Sequence, residues 1–315
     1  AAPGLAQRAR SAAAAQLGTA VPTSIILFIG DGMGAGQLEA ASLFATGEPS
    51  ALAFQSFPVT STVATESLSR RPTDSAAAST AIATGTKVRN GALSVERPGS
   101  RDELTTIFEL AKAAGLSTGF VTTTYVTHAT PAGFAAHEPR RNWHRRIARD
   151  ILTESRPNVV FGGAGRHVTA DDFREAGYAV ATDSDGLLRL ASGRVVASAA
   201  ESGARSAAAA VPRGDAAARD VGRYAALLGD GHLPYVADGR PGGMPGLAEL
   251  TSIAVGLLDD DPDGFLLVVE AGRIDHAGHD NDIARLVPEV VELERTVGLI
   301  LSLPGVTGST LVVVT

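Results

Sequence analysis

The chain has 315 residues, of which 44% are hydrophobic and 19% are charged, and its formal net charge is −7. A net acidic chain argues against general nucleic-acid binding, which usually requires a basic face, although a few local cations or metal ions can still attract an anionic substrate. Because the chain has no cysteine, disulfide bonds and thiolate zinc sites are excluded, and any metal ion must be bound by oxygen and imidazole ligands.

Apolar runs alternate with helical patterns along the chain, which is typical of an α/β fold with a mostly parallel sheet. The apolar runs predict strands at 24–30, 61–65, 117–124, 158–162, 264–270 and 309–315, and none of them is long enough to span a bilayer. The helical patterns lie near 36–44, 75–84, 104–114, 143–154, 247–258 and 283–303. The last is the clearest, because its apolar residues repeat at spacings of three and four.

The predicted elements place residues 24–315 in one domain, preceded by a flexible segment, 1–23. The first residues, "AAPGLAQ", fit either the small-residue tail of a secretory signal or an ordinary disordered N-terminus. Residues 164–243 are rich in Ala, Arg, Asp and Gly, and we interpret them as a peripheral elaboration packed on the main sheet.

The stretch "RPTDSAAASTAIATGT", residues 71–86, predicts a helix of small residues that starts at Asp74 or Ser75. A helix N-terminus attracts phosphate, because its free N–H groups and its dipole favour negative charge. A serine there usually caps the helix, and it becomes a nucleophile only if something lowers the cost of forming its alkoxide, as a bound zinc ion would. The segment "EPRRNWHRR" offers arginines for bidentate phosphate binding, or is a basic, solvated start of a helix.

Potential metal ligands follow three of the predicted strands, and in an open parallel sheet such strand ends meet at one edge. Taken singly, Asp31 fits a turn, Thr130 fits a helix cap, and the segment "DHAGHD" fits a polar loop. Taken together, three separate loops with ligands for hard metal ions favour a metal site. The residues are Asp31, His128, Thr130, Glu270, Asp275, His276 and His279.

Seven segments resemble, in this order, the signature segments of the alkaline phosphatases: "ILFIGDGMG", "TDSAAASTAIATGTKVRNGAL", "HATPAGFAAH", "RNW", "VVFGGAG", "GDGHLPY" and "VEAGRIDHAGH". The resemblance runs from about Ser24 to Thr315 and is weakest between Gly165 and Gly229. It implies a three-layer α/β/α sandwich. It also implies hydrolysis of phosphate monoesters at two zinc ions and one magnesium ion.

The same resemblance implies a role for each residue of these segments. Ser75 is expected to be the nucleophile that becomes phosphoserine, and Arg141 is expected to clamp the phosphate. For the metals, the implied ligands are Asp31, shared by magnesium and the second zinc, Thr130 and Glu270 for magnesium, and Asp275 and His279 for the first zinc. Asp74, His128 and His276 are expected to lie beside these residues, with His128 a neighbour of magnesium.

The resemblance also sets expectations about partners and location. The expected ligands are small phosphate monoesters and inorganic phosphate, with a homodimer as the assembly and the periplasm or the extracellular space as the compartment. Family members continue past the last strand with an Asp-His pair for the second zinc, so a C-terminally truncated chain with weak or no activity is expected. Two alternatives remain open: a related phosphodiesterase or sulfatase-like enzyme, and a non-catalytic metal- or phosphate-binding protein.

Overall fold

The central feature of the fold is a parallel sheet. The structure, a computed structural model, describes residues 21–69, 72–96, 102–165, 167–192, 222–306 and 308–315. Within them the strands are β1 (Ser24–Gly30), β2 (Ser117–Tyr125), β3 (Val159–Gly163), β4 (Ala179–Ala181), β5 (Tyr224–Leu227), β6 (Phe265–Ala271) and β7 (Thr310–Val314). They pair in the order β4-β5-β3-β2-β6-β1-β7, and every pairing is parallel.

Helices connect most of these strands. They are α1 (Ala35–Thr46), α2 (Ser75–Thr84), α3 (Ile107–Ala113), α4 (Ala129–Ala135), α5 (His144–Asp150), α6 (Ala170–Glu175), α7 (Ser184–Ser192), α8 (Leu247–Leu258), α9 (Arg273–His279) and α10 (Ile283–Leu301). Short 3₁₀ turns lie at Ala53–Ser56, Val236–Asp238 and Pro241–Gly243, and one π turn, Ile151–Ser155, continues α5.

Alternate side chains of the strands enter two separate cores, because successive residues of a strand face opposite sides of a sheet. Ile26 and Phe28 of β1 pack with α1, α8 and α10, whereas Leu27 and Ile29 pack with α2, α3, α4 and α5. Both faces of the sheet are therefore covered by helices, as in other parallel sheets. This arrangement confirms the predicted three-layer α/β/α architecture.

Three glutamates of the long helix α10 hold neighbouring segments by hydrogen bonds. Glu289 accepts one from the backbone N–H of Val236 at 2.8 Å, and Glu294 accepts one from that of Ala53 at 2.6 Å. Glu292 accepts one from the N–H of Leu247 at 3.1 Å and pairs with Arg240. Burial raises the pKa of Glu289 to about 7, against the hydrogen bond from Val236.

The predicted strand at 61–65 is wrong. These residues form no ladder with any described strand, and the side chain of Val63 is 76% exposed. Threonine and valine favour strands mainly by packing on a half-buried surface, and that surface is missing here. Most other predicted helices and strands are present, with ends shifted by a few residues.

Two elements inside 164–243 belong to the sheet itself, since β5 pairs with β3 and β4 pairs with β5. Residues 193–221 of that region lie outside the described residues, as does most of the predicted flexible segment 1–23. Among the described helices, none has both the length and the low charge needed to cross a bilayer.

The buried carboxyl of Glu289 leads to a pH-dependent stability. Because its pKa is raised in the folded state, this group favours folding at low pH, and that contribution is lost as the pH rises through about 7. Between about pH 4 and pH 8, ionisation of Glu289 should lower the free energy of unfolding by up to roughly 3 kcal/mol. Glu289→Gln cannot ionise and should therefore lack this decrease. Urea unfolding of both proteins across this range measures the difference.

The exposed Glu175 at the end of α6 provides the matched control, Glu175→Gln. Its pH profile should follow that of the unmodified protein. Parallel profiles for Glu289→Gln and the unmodified protein would show that Glu289 titrates normally.

Candidate active site

The candidate site lies at the carboxyl edge of the three adjacent strands β2, β6 and β1. Asp31 follows β1, His128 lies three residues after β2, and Glu270 is the penultimate residue of β6. One ligand atom from each of these three side chains lies within 4.8 Å of the other two. The structure thus brings together residues that are far apart in sequence, in an arrangement that can hold a metal ion.

The hydrogen bonding of Glu270 fits a cation at this cluster. The residue is 1% exposed, and its Oε2 accepts hydrogen bonds from the hydroxyls of Thr122 and Thr124. Its Oε1 has no hydrogen-bond partner among the described residues, and neither has His128 Nδ1, 3.9 Å away. Buried polar atoms without partners are costly, and a bound cation would satisfy both of these.

The charge at Asp31 supports the same conclusion. Burial, and then the nearby carboxylates of Glu270 and Asp275, raise the pKa of Asp31 to about 7, against a hydrogen bond from Ser75. Gathered carboxylates repel one another unless a cation is bound between them. Carboxylate oxygens suit Mg²⁺, and carboxylate oxygens together with an imidazole nitrogen suit Zn²⁺. His128, expected only beside the ligands, is itself part of the cluster.

Ser75 is the first residue of α2, and its hydroxyl donates a hydrogen bond to Asp31 Oδ2 at 2.9 Å. The helix consists of small residues because it packs closely on α4. Ser79 donates to the carbonyl of Ala129 at 3.1 Å, and a Cβ on Gly133 would collide with Ser79 Oγ. Close packing therefore accounts for the composition of the helix, while its N-terminus places Ser75 beside the cluster.

Asp74 is the N-cap of α2 and connects three parts of the site. Its carboxylate accepts hydrogen bonds from the N–H of Ala77 at 3.0 Å and from the N–H of Gly91 at 3.0 and 3.1 Å. Arg141 Nη1 donates to the same carboxylate at 3.2 Å, and Arg141 Nη2 lies 3.5 Å from His128 Nε2. The side chain of the adjacent Arg140 lies over the Trp143 ring instead, 5.8 Å from its centroid.

The remaining predicted ligands lie close by. Asp275 and His279 are four residues apart on α9, and His279 Nε2 is 3.4 Å from Asp275 Oδ2. Asp275 packs against Gly32, where a Cβ would collide with its side chain, so it lies next to the loop that carries Asp31. The His279 side chain is 79% exposed. Thr130 is buried in α4, and its hydroxyl interacts with Glu270.

Sequence reasoning did not single out His232, which lies in the segment "GDGHLPY". Its ring lies 4.4 Å from the ring of His276, 4.6 Å from that of Tyr125 and 5.7 Å from that of His128. Burial first, and then neighbouring cationic groups, lower the pKa of His232 to about 3 and that of His276 to about 4. The available signal was its position after β5, because that strand ends at the same edge of the sheet.

Proteins of one known family are similar to this chain in sequence. A family model described as alkaline phosphatase matches residues 23–315. The chain belongs to the alkaline phosphatase family. It is 32% identical over 288 residues to alkaline phosphatase 3 of Bacillus subtilis, covering 86% of this chain and 55% of that protein. It is also 32% identical over 313 residues to the chicken (Gallus gallus) tissue-nonspecific alkaline phosphatase, covering 89% of this chain and 60% of that protein. The chain thus spans less than two thirds of the length of these relatives.

Solved structures of alkaline phosphatases share the fold. The enzyme from the Antarctic bacterium TAB5 superimposes with a TM-score of 0.72 at 26% identity, covering 93% of this chain and 78% of that one. The Thermus thermophilus alkaline phosphatase gives a TM-score of 0.73 at 30% identity, covering 94% and 59%. A histidine variant of the TAB5 enzyme has been solved with Mg bound in its M3 site.

The cluster geometry leads to a test of metal binding. Glu270→Gln should weaken binding of Mg²⁺ or Zn²⁺ to the metal-free protein, because it removes the charge of a buried ligand. Thr122→Val, which removes a hydrogen-bond partner of Glu270, should lower the metal affinity by roughly 10–100-fold, as is typical of such outer partners. Glu270→Gln should lower the affinity by more than that. Isothermal titration calorimetry with each metal measures both. Glu289→Gln, a buried glutamate elsewhere, is the control, and equal affinities for Glu270→Gln and this control would exclude the site.

Proposed function

We propose that this alkaline phosphatase family member hydrolyses phosphate monoesters through a phosphoserine at Ser75. The observation that carries the proposal is the position of the Ser75 hydroxyl, 2.9 Å from Asp31 Oδ2 and at the N-terminus of α2 beside the carboxylate cluster. There a helix terminus, a candidate metal site and an arginine converge on one serine. This combination can orient a phosphate for in-line attack.

The reaction has two displacements at phosphorus. In the first, a bond forms between Ser75 Oγ and phosphorus while the bond to the ester oxygen breaks, and Ser75 loses its hydroxyl proton while the leaving alcohol gains one. In the second, water attacks the phosphoserine, the bond to Ser75 Oγ breaks, a proton from the water restores the Ser75 hydroxyl, and inorganic phosphate is released. Asp31 accepts the hydrogen bond of the Ser75 hydroxyl and fixes its direction. The first N–H groups of α2 lie beside the incoming phosphate.

Arg141 is proposed to bind two non-bridging oxygens of the phosphate. Its guanidinium is held by Asp74 at the start of α2, next to Ser75, and its side chain remains 33% exposed. A planar guanidinium can donate two parallel hydrogen bonds to a phosphate. This arrangement favours a monoester, because a diester has fewer free oxygens and carries a second substituent.

The metal complement is proposed to be two zinc ions and one magnesium ion. Asp31, Thr130 and Glu270 would hold magnesium, Asp275 and His279 would hold one zinc, and Asp31 with Ser75 would contribute to the other. Bound metal ions would stabilise the negative charge on the attacking and leaving oxygens and favour the serine alkoxide. The unpartnered Oε1 of Glu270 and the raised pKa of Asp31 support a cation at this cluster.

Several broader expectations accompany this proposal. Alkaline phosphatases are typically periplasmic or extracellular, and the same location is proposed for this protein. Small phosphate monoesters are the proposed substrates, inorganic phosphate is the product, and a homodimer is the proposed assembly. Comparing turnover of an aryl phosphate with that of an aryl phosphodiester and an aryl sulfate separates the monoesterase from related enzymes. Metal binding without turnover of any of the three would favour the non-catalytic alternative.

The nucleophile can be tested by substitution. Ser75→Ala should lower kcat for p-nitrophenyl phosphate by on the order of 10³-fold or more, because the covalent route is lost. Thr84→Ala, at the other end of α2, removes a hydroxyl that donates to the carbonyl of Thr80 and accepts from the N–H of Thr86, and it should retain the activity. Acid quenching during turnover of labelled substrate should leave the label on Ser75. Label on Ser79 instead would overturn the assignment.

The adjacent arginines give a matched pair for the phosphate clamp. Arg141→Ala should weaken competitive inhibition by inorganic phosphate, since each charged hydrogen bond contributes about 1.5–3 kcal/mol. Arg140→Ala should have a smaller effect, because that side chain lies over Trp143. The measurement is Ki for phosphate in both variants. A larger effect at Arg140 would show that the clamp is misassigned.

A further inference from the structure

A second feature with binding chemistry is a cavity of about 470 Å³ that is lined mainly by the residues that follow Arg141 in sequence. Its lining begins with the residue after Arg141 and contains no carboxylate among the residues that the structure describes. The lining residues are Asn142, Trp143, His144, Arg145, Arg146 and His167. This is an open, basic and aromatic hollow in a protein whose net charge is −7.

One arginine of the cavity, Arg146, lies against the Trp143 ring, and Arg140, outside the lining, lies near the same ring. The guanidinium of Arg146 lies 4.3 Å from the Trp143 centroid, and that of Arg140 lies 5.8 Å from it. Such cation–π contacts restrict a guanidinium without neutralising its charge. Arg146 Nη1 pairs with the carboxylate of Glu138 at 3.9 Å, and Arg149 shares this carboxylate at 3.8 Å, so one negative charge faces two arginines. The cavity therefore keeps positive charge available to a bound anion.

Two stacked imidazoles form another wall. The rings of His144 and His167 lie 5.2 Å apart with an interplanar angle of 5°. His144 Nδ1 lies 3.3 Å from the carbonyl of Thr127, which accepts its hydrogen bond when that nitrogen carries the proton. The other nitrogen of His144 is then left to face a ligand or solvent.

This wall is continuous with the candidate active site. The His144 ring meets the edge of Tyr125 at 5.4 Å, and Tyr125 meets His128 at 5.2 Å. His128 belongs to the Asp31–Glu270 cluster and lies 3.5 Å from Arg141 Nη2. One tyrosine ring thus separates the cavity wall from the metal cluster. The lining also starts at Asn142, the residue that follows Arg141, so the cavity is next to the proposed phosphate clamp.

We propose that this cavity is a second anion subsite, which selects phosphate monoesters whose leaving group carries a further phosphate-like dianion. The inference rests on the proposed phosphatase function and adds its substrate class. Arg145 and Arg146 bind the distal dianion, and Trp143 positions Arg146. The transferred phosphate remains at Ser75 and Arg141, so the subsite contributes to recognition and takes no part in bond making.

The test compares three substrates that differ only at the far end of a propyl chain: propyl phosphate, 3-phosphonopropyl phosphate and 3-(trimethylammonio)propyl phosphate. The phosphonate is not hydrolysed, so each substrate has a single reacting phosphate. The expected kcat/KM for the phosphonate substrate is roughly tenfold higher than for propyl phosphate at low salt. The ammonium substrate should be the poorest. The preference should shrink as ionic strength rises.

The double variant Arg145→Ala/Arg146→Ala should remove the preference for the phosphonate substrate while leaving kcat/KM for propyl phosphate within about twofold. Arg174→Ala is the control, because this exposed arginine pairs with Asp171 on α6, outside the cavity. An equal loss on all three substrates would assign the two arginines a structural role and overturn the proposal. So would an undiminished preference in the double variant.

The outcomes also separate this inference from the proposed function. Turnover of propyl phosphate without any preference for the phosphonate substrate would refute the subsite and leave the phosphatase intact. No turnover of any of the three substrates, with zinc and magnesium supplied, would contradict the proposed function itself.

Discussion

The site depends on one electrostatic constraint: three carboxylates meet at the carboxyl edge of the central strands. Asp31 comes from the loop after β1, Glu270 from β6 and Asp275 from α9, and the fold brings the three together. Burial first, and then the repulsion from the other two carboxylates, raise the pKa of Asp31. A buried oxygen of Glu270 and a ring nitrogen of His128 have no partner among the described residues. The polypeptide thus accepts a local electrostatic cost that a cation would relieve, as is common where a fold is adapted to a ligand.

The parallel sheet fixes the positions of these side chains relative to one another. Because β2, β6 and β1 are neighbours, the loops that follow them are fixed relative to one another by hydrogen bonds between the strands. Both faces of these strands are buried in separate cores. A site built on the central strands is consequently more precise than one carried by surface loops alone. The wall of rings from His276 to His144 extends this rigid region outward to the second anion subsite.

Much of this could be predicted from the sequence, because the central elements have simple patterns. The strand at 24–30 and the helix at 75–84 are apolar or small throughout, and the structure places them at the same bounds. Asp31, His128 and Glu270 were identified because they follow strands. The false strand at 61–65 shows the limit: residue preference is a local property, whereas a strand needs a partner and a buried face. His232 was missed for the opposite reason, since its neighbours are distant in sequence and come together only when β5 joins the sheet.

Asp74 has a consequence for how this site can diverge. One carboxylate caps the helix of Ser75, binds the loop at Gly91 and anchors Arg141. A mutation there would alter helix stability, loop position and the phosphate clamp together, so few such changes would be tolerated during evolution. None of the arginines around Trp143 holds several parts of the site together in the way that Asp74 does. Selection for new substrates would therefore be expected to act first on these arginines, because a single mutation there changes one contact at a time. The residues around Asp74 would change only in combination.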